Sequence, residues 1–276
     1  PERRYILSRD HAYHGLHTFG TSITGLEYNR EGYGTESLVP ETARIDTFDI
    51  ELVAKQIEAI GPHRIAAVIA EPVIGTGGVF GPTTGYFEGL HRLADAYGFL
   101  VIADEVITGF GRCGEMFAST RYDVRPDIIT MAKGLTSGYA ALGAVAVAPR
   151  VAERFFADTD SPMFRHGLTY SGHATACVVA EANLDIVERE GLVARAGELE
   201  GVLARALAPL RDHALVEDVR TGSGFMAGVQ LRPEVSADKI AIACTEAGVL
   251  MRLIHNNTLH ISPPFVVTDD EVALIA

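Results

Sequence analysis

Four ionisable side chains stand directly behind short apolar runs. Ile65–Ala70 leads into Glu71, Phe99–Ala103 into Asp104 and Glu105, and Ile128–Met131, through Ala132, into Lys133. A charge that follows a buried strand costs free energy unless it is paired or used. One such case is usually a surface loop; three on one sheet edge predict a site. Two chemistries fit carboxylates beside an amine. Glu71, Asp104 and Glu105 could hold magnesium through hard oxygen ligands. Alternatively, Lys133 could anchor a carbonyl compound as a Schiff base, with Asp104 pairing with a protonated ring nitrogen so that the ring withdraws electrons. Spacing alone leaves both open.

Other patterns carry less. His11, His14 and His17 follow an i, i+3, i+6 spacing, but on a helix the outer pair is rotated apart and Gly15 weakens a helix there, so no metal site is expected. Gly75-x-Gly77 is not a dinucleotide fingerprint, because Pro82 follows and no helix opens. The chain contains neither a P-loop nor a nucleophile elbow.

The elements that must position these groups alternate between strand and helix. The three apolar runs, with Ala144–Ala148 as a fourth, read as buried strands. Ile50, Val53, Ile57 and Ile60 recur at helical spacing before Gly61-Pro62, and Tyr86, Leu90, Leu93 and Tyr97 before Gly98. This rhythm predicts an α/β fold with a mostly parallel sheet flanked by helices, its ligand beyond the carboxyl ends of the strands. From about Ala174 the pattern changes: a helix to Glu190, another after Gly191 through Ala208, strands near Ala214–Val219 and Phe225–Leu231, a helix over Ala237–Ala247 and a strand at Val249–Leu253. Thr268 is placed to cap a last helix. The expected organisation is a large domain over residues 1–190 and a small C-terminal α+β domain over 191–276.

Composition narrows the class. The 276 residues carry a net charge of −13 without a basic run, which argues against nucleic acid or an anionic membrane as partner. No apolar run approaches the ~20 residues of a membrane span. Three scattered cysteines form no framework and favour a reducing, cytoplasmic setting. The start, Pro1-Glu2-Arg3-Arg4-Tyr5, has neither an initiator Met nor a signal-peptide core, so the chain is expected to begin within a longer protein.

Five motifs then make the choice of chemistry specific. Asp104-Glu105-Val106-Ile107-Thr108-Gly109-Phe110-Gly111-Arg112 resembles the Asp-Glu-Val motif of class III aminotransferases, pyridoxal-phosphate (PLP) enzymes of fold type I. Ala132-Lys133-Gly134-Leu135-Thr136-Ser137-Gly138-Tyr139 resembles their lysine loop. Glu71-Pro72-Val73-Ile74-Gly75-Thr76-Gly77-Gly78, Ala12-Tyr13-His14-Gly15 and Thr169-Tyr170-Ser171-Gly172-His173 resemble three more, all in the family's order, and the match runs from about Tyr5 to about Pro264.

The resemblance implies roles. Lys133 would carry PLP and shuttle the proton, and Asp104 would pair with the pyridinium. Val106 and Tyr13 would pack on opposite ring faces, with His14 and Glu71 also in the cofactor site. Thr169 would bond the phosphate from the neighbouring subunit of a homodimer, and Arg252 would grip a substrate carboxylate. The implied reaction moves an amino group from an amine or ω-amino acid donor to a keto acid such as pyruvate, in ping-pong half-reactions. Ile107 where ornithine- and GABA-type relatives usually have Gln, and Thr76 where several have Glu, bring the chain nearer the amine:pyruvate transaminases. Ala141 and Cys113 replace a common Pro and Thr, and the family's Gly-Ser phosphate loop lies upstream of the residues present. The alternatives are a class III-like aminomutase or decarboxylase, or a truncated, non-catalytic chain with this fold.

Overall fold

A computed structural model describes residues 2–276. The first sheet is built from β1 (Tyr5–Arg9), β2 (Thr42–Ile45), β3 (Ile65–Ala70), β4 (Leu100–Asp104), β5 (Ile128–Met131) and β6 (Ala144–Val147). Its order is β2-β1-β3-β4-β5-β6, parallel throughout except that β6 runs antiparallel to β5. Because β1 has β2 on one side and β3 on the other, the sheet has a switch point between β1 and β3, and a crevice opens beyond the strand ends there.

Helices α1 (Thr18–Ile23), α2 (Ile50–Ile60), α3 (Tyr86–Tyr97), α4 (Ala118–Arg121) and α5 (Pro149–Phe156) fill the connections. The Asp49 side chain caps α2 by accepting from the amides of Glu51 and Leu52, and Gly61 ends it at φ +97°. Val53 and Ile57 of α2, with Phe87, Leu90 and Ala94 of α3, pack on Leu7, Val68 and Val101 of the sheet. This is the burial that the helical spacing predicts.

The remaining chain forms α6 (Ala174–Arg189), α7 (Leu192–Leu207), β7 (Val216–Arg220), β8 (Ala227–Leu231), α8 (Ala237–Glu246), β9 (Arg252–Ile254), β10 (Thr258–Ile261) and α9 (Asp269–Ile275). Gly191, at φ +62°, separates α6 from α7. The second sheet is antiparallel in the order β7-β8-β10-β9. It has its own core, with Leu199, Leu203 and Leu207 of α7 against Val219, Phe225, Val229 and Leu259. Thr268 and Glu271 form a full capping box on α9. The strand expected at Val249–Leu253 instead covers Arg252–Ile254, because the register is set by pairing with β10 and not by the apolar run. Strands β1, β2 and β10 and helices α1, α4 and α5 lie outside the elements expected from the sequence. β2 and β10 are four residues each and carry Arg or His among their apolar residues, which blurs alternation. Among the described residues no helix is long and apolar enough to cross a membrane.

Arginines tie the two sheets together. Arg112 donates to the carbonyls of Phe225 and Pro263, 2.8 Å each, and lies over the Phe265 ring. Burial pulls its pKa down to about 10. Arg121 makes a two-pronged pair with Glu200, and Arg220 donates to the carbonyl of Gly78 while stacking on Phe80. Replacing Arg112 by Leu orphans two carbonyls at about 1–3 kcal/mol each. Urea unfolding is expected to show a loss of that order, and limited proteolysis to show earlier cleavage between the sheets.

Candidate active site

The loops leaving β1, β3, β4 and β5 meet at one cavity of about 390 Å³, a volume typical of a small-molecule site. Tyr13 and His14 come from the β1 exit, Glu71 from the end of β3, Asp104 and Val106 from β4, and Lys133 from β5. Six of the eight residues singled out in the sequence therefore line one space. Thr169 does not; it sits exposed in the connection between α5 and α6. Arg252 does not either. It lies exposed on β9, beside a second cavity of about 610 Å³.

Asp104 is the last residue of β4, and its carboxylate is buried. Oδ2 lies 2.7 Å from His14 Nδ1, and Oδ1 accepts the amide of Val106 at 3.1 Å. An ionised Asp104 can only accept, so His14 donates from Nδ1. His14 Nε2 is buried with no partner among the described residues.

Lys133 opens a single 3-10 turn, Lys133–Leu135, with φ +37° after an extended Ala132. A left-handed backbone at a non-glycine residue costs about 1–3 kcal/mol and clusters at functional sites. The Asn183 amide of α6 holds the turn by donating to the carbonyls of Gly134 and Leu135 at 2.9 and 3.2 Å. The amine is reached from the cavity, yet loss of water around it lowers its pKa below the ordinary lysine value. Glu71 opposes that shift, Arg252 adds to it, and Asp104 opposes it less.

Glu71 is buried, and burial raises its pKa above the usual carboxylate range, against the lowering influence of His14 and of two main-chain N–H donors. Glu105, the neighbour of Asp104 in the Asp-Glu-Val motif, takes no part in the cavity. Glu105 is fully buried and accepts from the Thr108 hydroxyl, from the amides of Ala118 and Ser119 and from the Ser119 hydroxyl. It caps the start of α4, where a carboxylate meets orphan amides. The magnesium alternative thus loses one of its three oxygen donors. The three histidines also separate: His14 meets Asp104, His17 caps α1, and His11 stacks with Phe80 and His255.

The donor set fits PLP. A buried carboxylate supported by His14 suits a protonated ring nitrogen, Lys133 suits an aldehyde, and Tyr13 and Val106 supply apolar flanks. The Thr130 hydroxyl, buried and unpartnered among the described residues, adds a free polar group to the cavity wall.

A family model for aminotransferase class-III matches residues 1–276. The chain belongs to the class-III aminotransferases. It is 36% identical to a diaminobutyrate–2-oxoglutarate transaminase of Halomonas elongata over 99% of its own length, and 35% identical to an omega-aminotransferase of Caulobacter vibrioides over 97%. The chain spans about 65% of the length of each of these relatives. Among solved structures, an (S)-enantioselective omega-transaminase from Thermomicrobium roseum superposes with a TM-score of 0.93 at 35% identity, covering all of this chain and 66% of that one. An amine transaminase from an uncultivated Pseudomonas species, in the PLP-bound form, gives 0.92 at 37%, covering all of this chain and 68% of that one. The fold is that of the fold-type-I PLP transaminases.

Within this family frame, two contributors escaped the sequence reading. Asn183 lies fifty residues past the lysine it supports, and Thr130 reads as an ordinary strand residue. Ile107, singled out in the sequence, packs so closely on Gly75 that a Cβ there would lie 2.5 Å from its Cδ1. The sequence contains three lysines; all three are exposed, Lys55 and Lys239 on helices and Lys133 towards the cavity it lines. A depressed pKa means that the neutral, nucleophilic form of Lys133 appears at lower pH. Competitive acylation followed by mass spectrometry, with cofactor removed, is expected to show Lys133 reacting with a lower pH midpoint than the other two.

Proposed function

We propose that the protein is a PLP-dependent aminotransferase that takes an amino group from an amine or ω-amino acid and delivers it to a keto acid such as pyruvate, in two successive half-reactions. The observation that carries this reading is the meeting of Lys133 with the His14–Asp104 pair in one cavity at the strand ends of a class-III chain. The names of similar proteins, an omega-aminotransferase and an amine transaminase among them, support the donor class.

Bound PLP supplies an electron sink that makes the C–H bond next to the reacting nitrogen acidic. Lys133 anchors the cofactor, and its amine, once freed, takes the proton from that carbon and returns it. Its lowered pKa suits this task, since a base must be neutral to accept. His14 and the Val106 amide both donate to Asp104, whose carboxylate would hold positive charge on the ring nitrogen of bound PLP. Tyr13 and Val106 line the cavity and would flank the ring of bound PLP. Arg252 binds the carboxylate of the acid partner; its charge already reaches Lys133, Tyr28 and His260.

A second copy of the chain completes the site and contributes Thr169 to the phosphate. Support comes from the surface around that residue. β6 is exposed along its length, and Tyr139, Val145, Phe156, Phe164, Leu168 and Tyr170 are large exposed apolar groups in the same stretch of chain. An apolar surface of this kind marks an interface. The acidic composition and three unpaired thiols suit a cytoplasmic setting.

Lys133→Ala is expected to abolish turnover and to leave no PLP covalently trapped by borohydride, both read directly on the full-length protein. Asp104→Asn, which removes the negative partner of the ring nitrogen, is expected to lower kcat by about 100- to 1,000-fold. Retained turnover in Lys133→Ala would sink the reading. Sedimentation is expected to give a dimer, and Phe164→Asp with Leu168→Asp to shift it towards monomer.

A further inference from the structure

Glu71 stands at the switch point of the sheet, where the exit of β1 and the exit of β3 part. One carboxylate oxygen accepts the amide of Tyr13, 3.0 Å away on the β1 exit. The other accepts the amide of Gly75, 2.9 Å away on its own loop. Its main-chain carbonyl is held from behind by the guanidinium of Arg9. That arginine is fully buried among Phe48, Tyr86 and Phe87. Both oxygens and the carbonyl are thus committed, and the residue is 4% exposed. Each amide leads to a wall of the cavity. Tyr13 lines it directly, and Gly75 is packed against Ile107, which also lines it.

We propose that Glu71 is a positioning residue for the reaction proposed above: its carboxylate clamps the Tyr13 loop and the Gly75 loop across the crevice, in the cavity that Lys133 also lines. A buried carboxylate accepting two amides makes strong, directional bonds. Topology leaves the β1 and β3 exits diverging, so a bridge at this point sets the spacing between Tyr13 and Ile107. The charged groups facing Glu71 are His14, Asp104 and Lys133, with Arg9 on its carbonyl side. Among the negative groups acting on Lys133, Glu71 acts more strongly than Asp104. The structure thus assigns to Glu71 a role through other residues, not contact with the substrate.

The test is Glu71→Gln in the full-length protein, read by two measurements that need no turnover. A glutamine keeps one acceptor oxygen but turns an NH2 towards the second amide, and it carries no charge. Hydrogen exchange at the Tyr13 and Gly75 amides is expected to quicken by about 10- to 100-fold, the worth of a hydrogen bond to a charged group. The acylation midpoint of Lys133 in the cofactor-free protein is expected to fall, with Lys55 and Lys239 unmoved. Glu71→Asp, one methylene short but still charged, is expected to quicken exchange while leaving the Lys133 midpoint near the wild-type value. Wild-type exchange or an unmoved Lys133 midpoint in a folded Glu71→Gln protein overturns the proposal. Should that variant not fold, wild-type exchange in Glu71→Asp overturns it equally. Borohydride trapping on wild type keeps the two readings apart. Trapped PLP with an unmoved midpoint discards the clamp alone, whereas absence of trapping discards the aminotransferase reading and leaves the exchange result to judge the clamp.

Discussion

A charged side chain at the end of a buried parallel strand has to find its partner in its own loop or in the next loop along the sheet edge, because water is scarce there. Three consecutive strand ends in this chain face that constraint, and each answers it differently. Glu71 spends both oxygens on backbone amides. Asp104 takes the imidazole of His14 and one amide. Lys133 takes no close partner and remains open to the cavity, in a left-handed turn supported by Asn183. Of the three, the group left without a firm partner is the amine, which lines the cavity. Glu105 shows the opposite outcome. It directly follows Asp104 in sequence, but three donors at the start of α4 and the Thr108 hydroxyl consume it, and it becomes structural.

The second sheet takes part through arginine. Arg112, Arg121 and Arg220 each reach main-chain carbonyls across the junction, and two of them also stack on phenylalanine rings. A planar guanidinium can donate in several directions and still cover an aromatic face, which an ammonium cannot do. These contacts hold β9 and β10 where the charge of Arg252 reaches Lys133. The same crowding of cations, after burial itself, pushes His260 down to about 4 and keeps it neutral, so it adds no further positive charge near neutral pH. Arg252 and Lys133 therefore lie within electrostatic reach while lining different cavities. That separation suits one group holding a carboxylate and another handling the proton.

What the sequence by itself determined is local or periodic. The runs Ile65–Ala70 and Ile128–Met131 are strands with the expected limits, since short, largely apolar runs between turn residues have few other stable fates. Helices α2 and α3 and their glycine stops were legible for the same reason. The motifs identified the family, and they pointed to a lysine and an aspartate that the structure brings to one cavity. Only the tertiary structure decided which neighbouring carboxylate served the cavity and which capped a helix. Adjacent residues such as Asp104 and Glu105 point to different surroundings, and no spacing rule says which surroundings hold free amides. It also decided the partner of His14, ninety residues away in sequence, and the bridge from Glu71 to Tyr13, fifty-eight residues away. Such contacts depend on strand order. The placement of β1 beside β3 is fixed by the packing of whole elements, which the residues around Tyr13 and Glu71 do not encode alone.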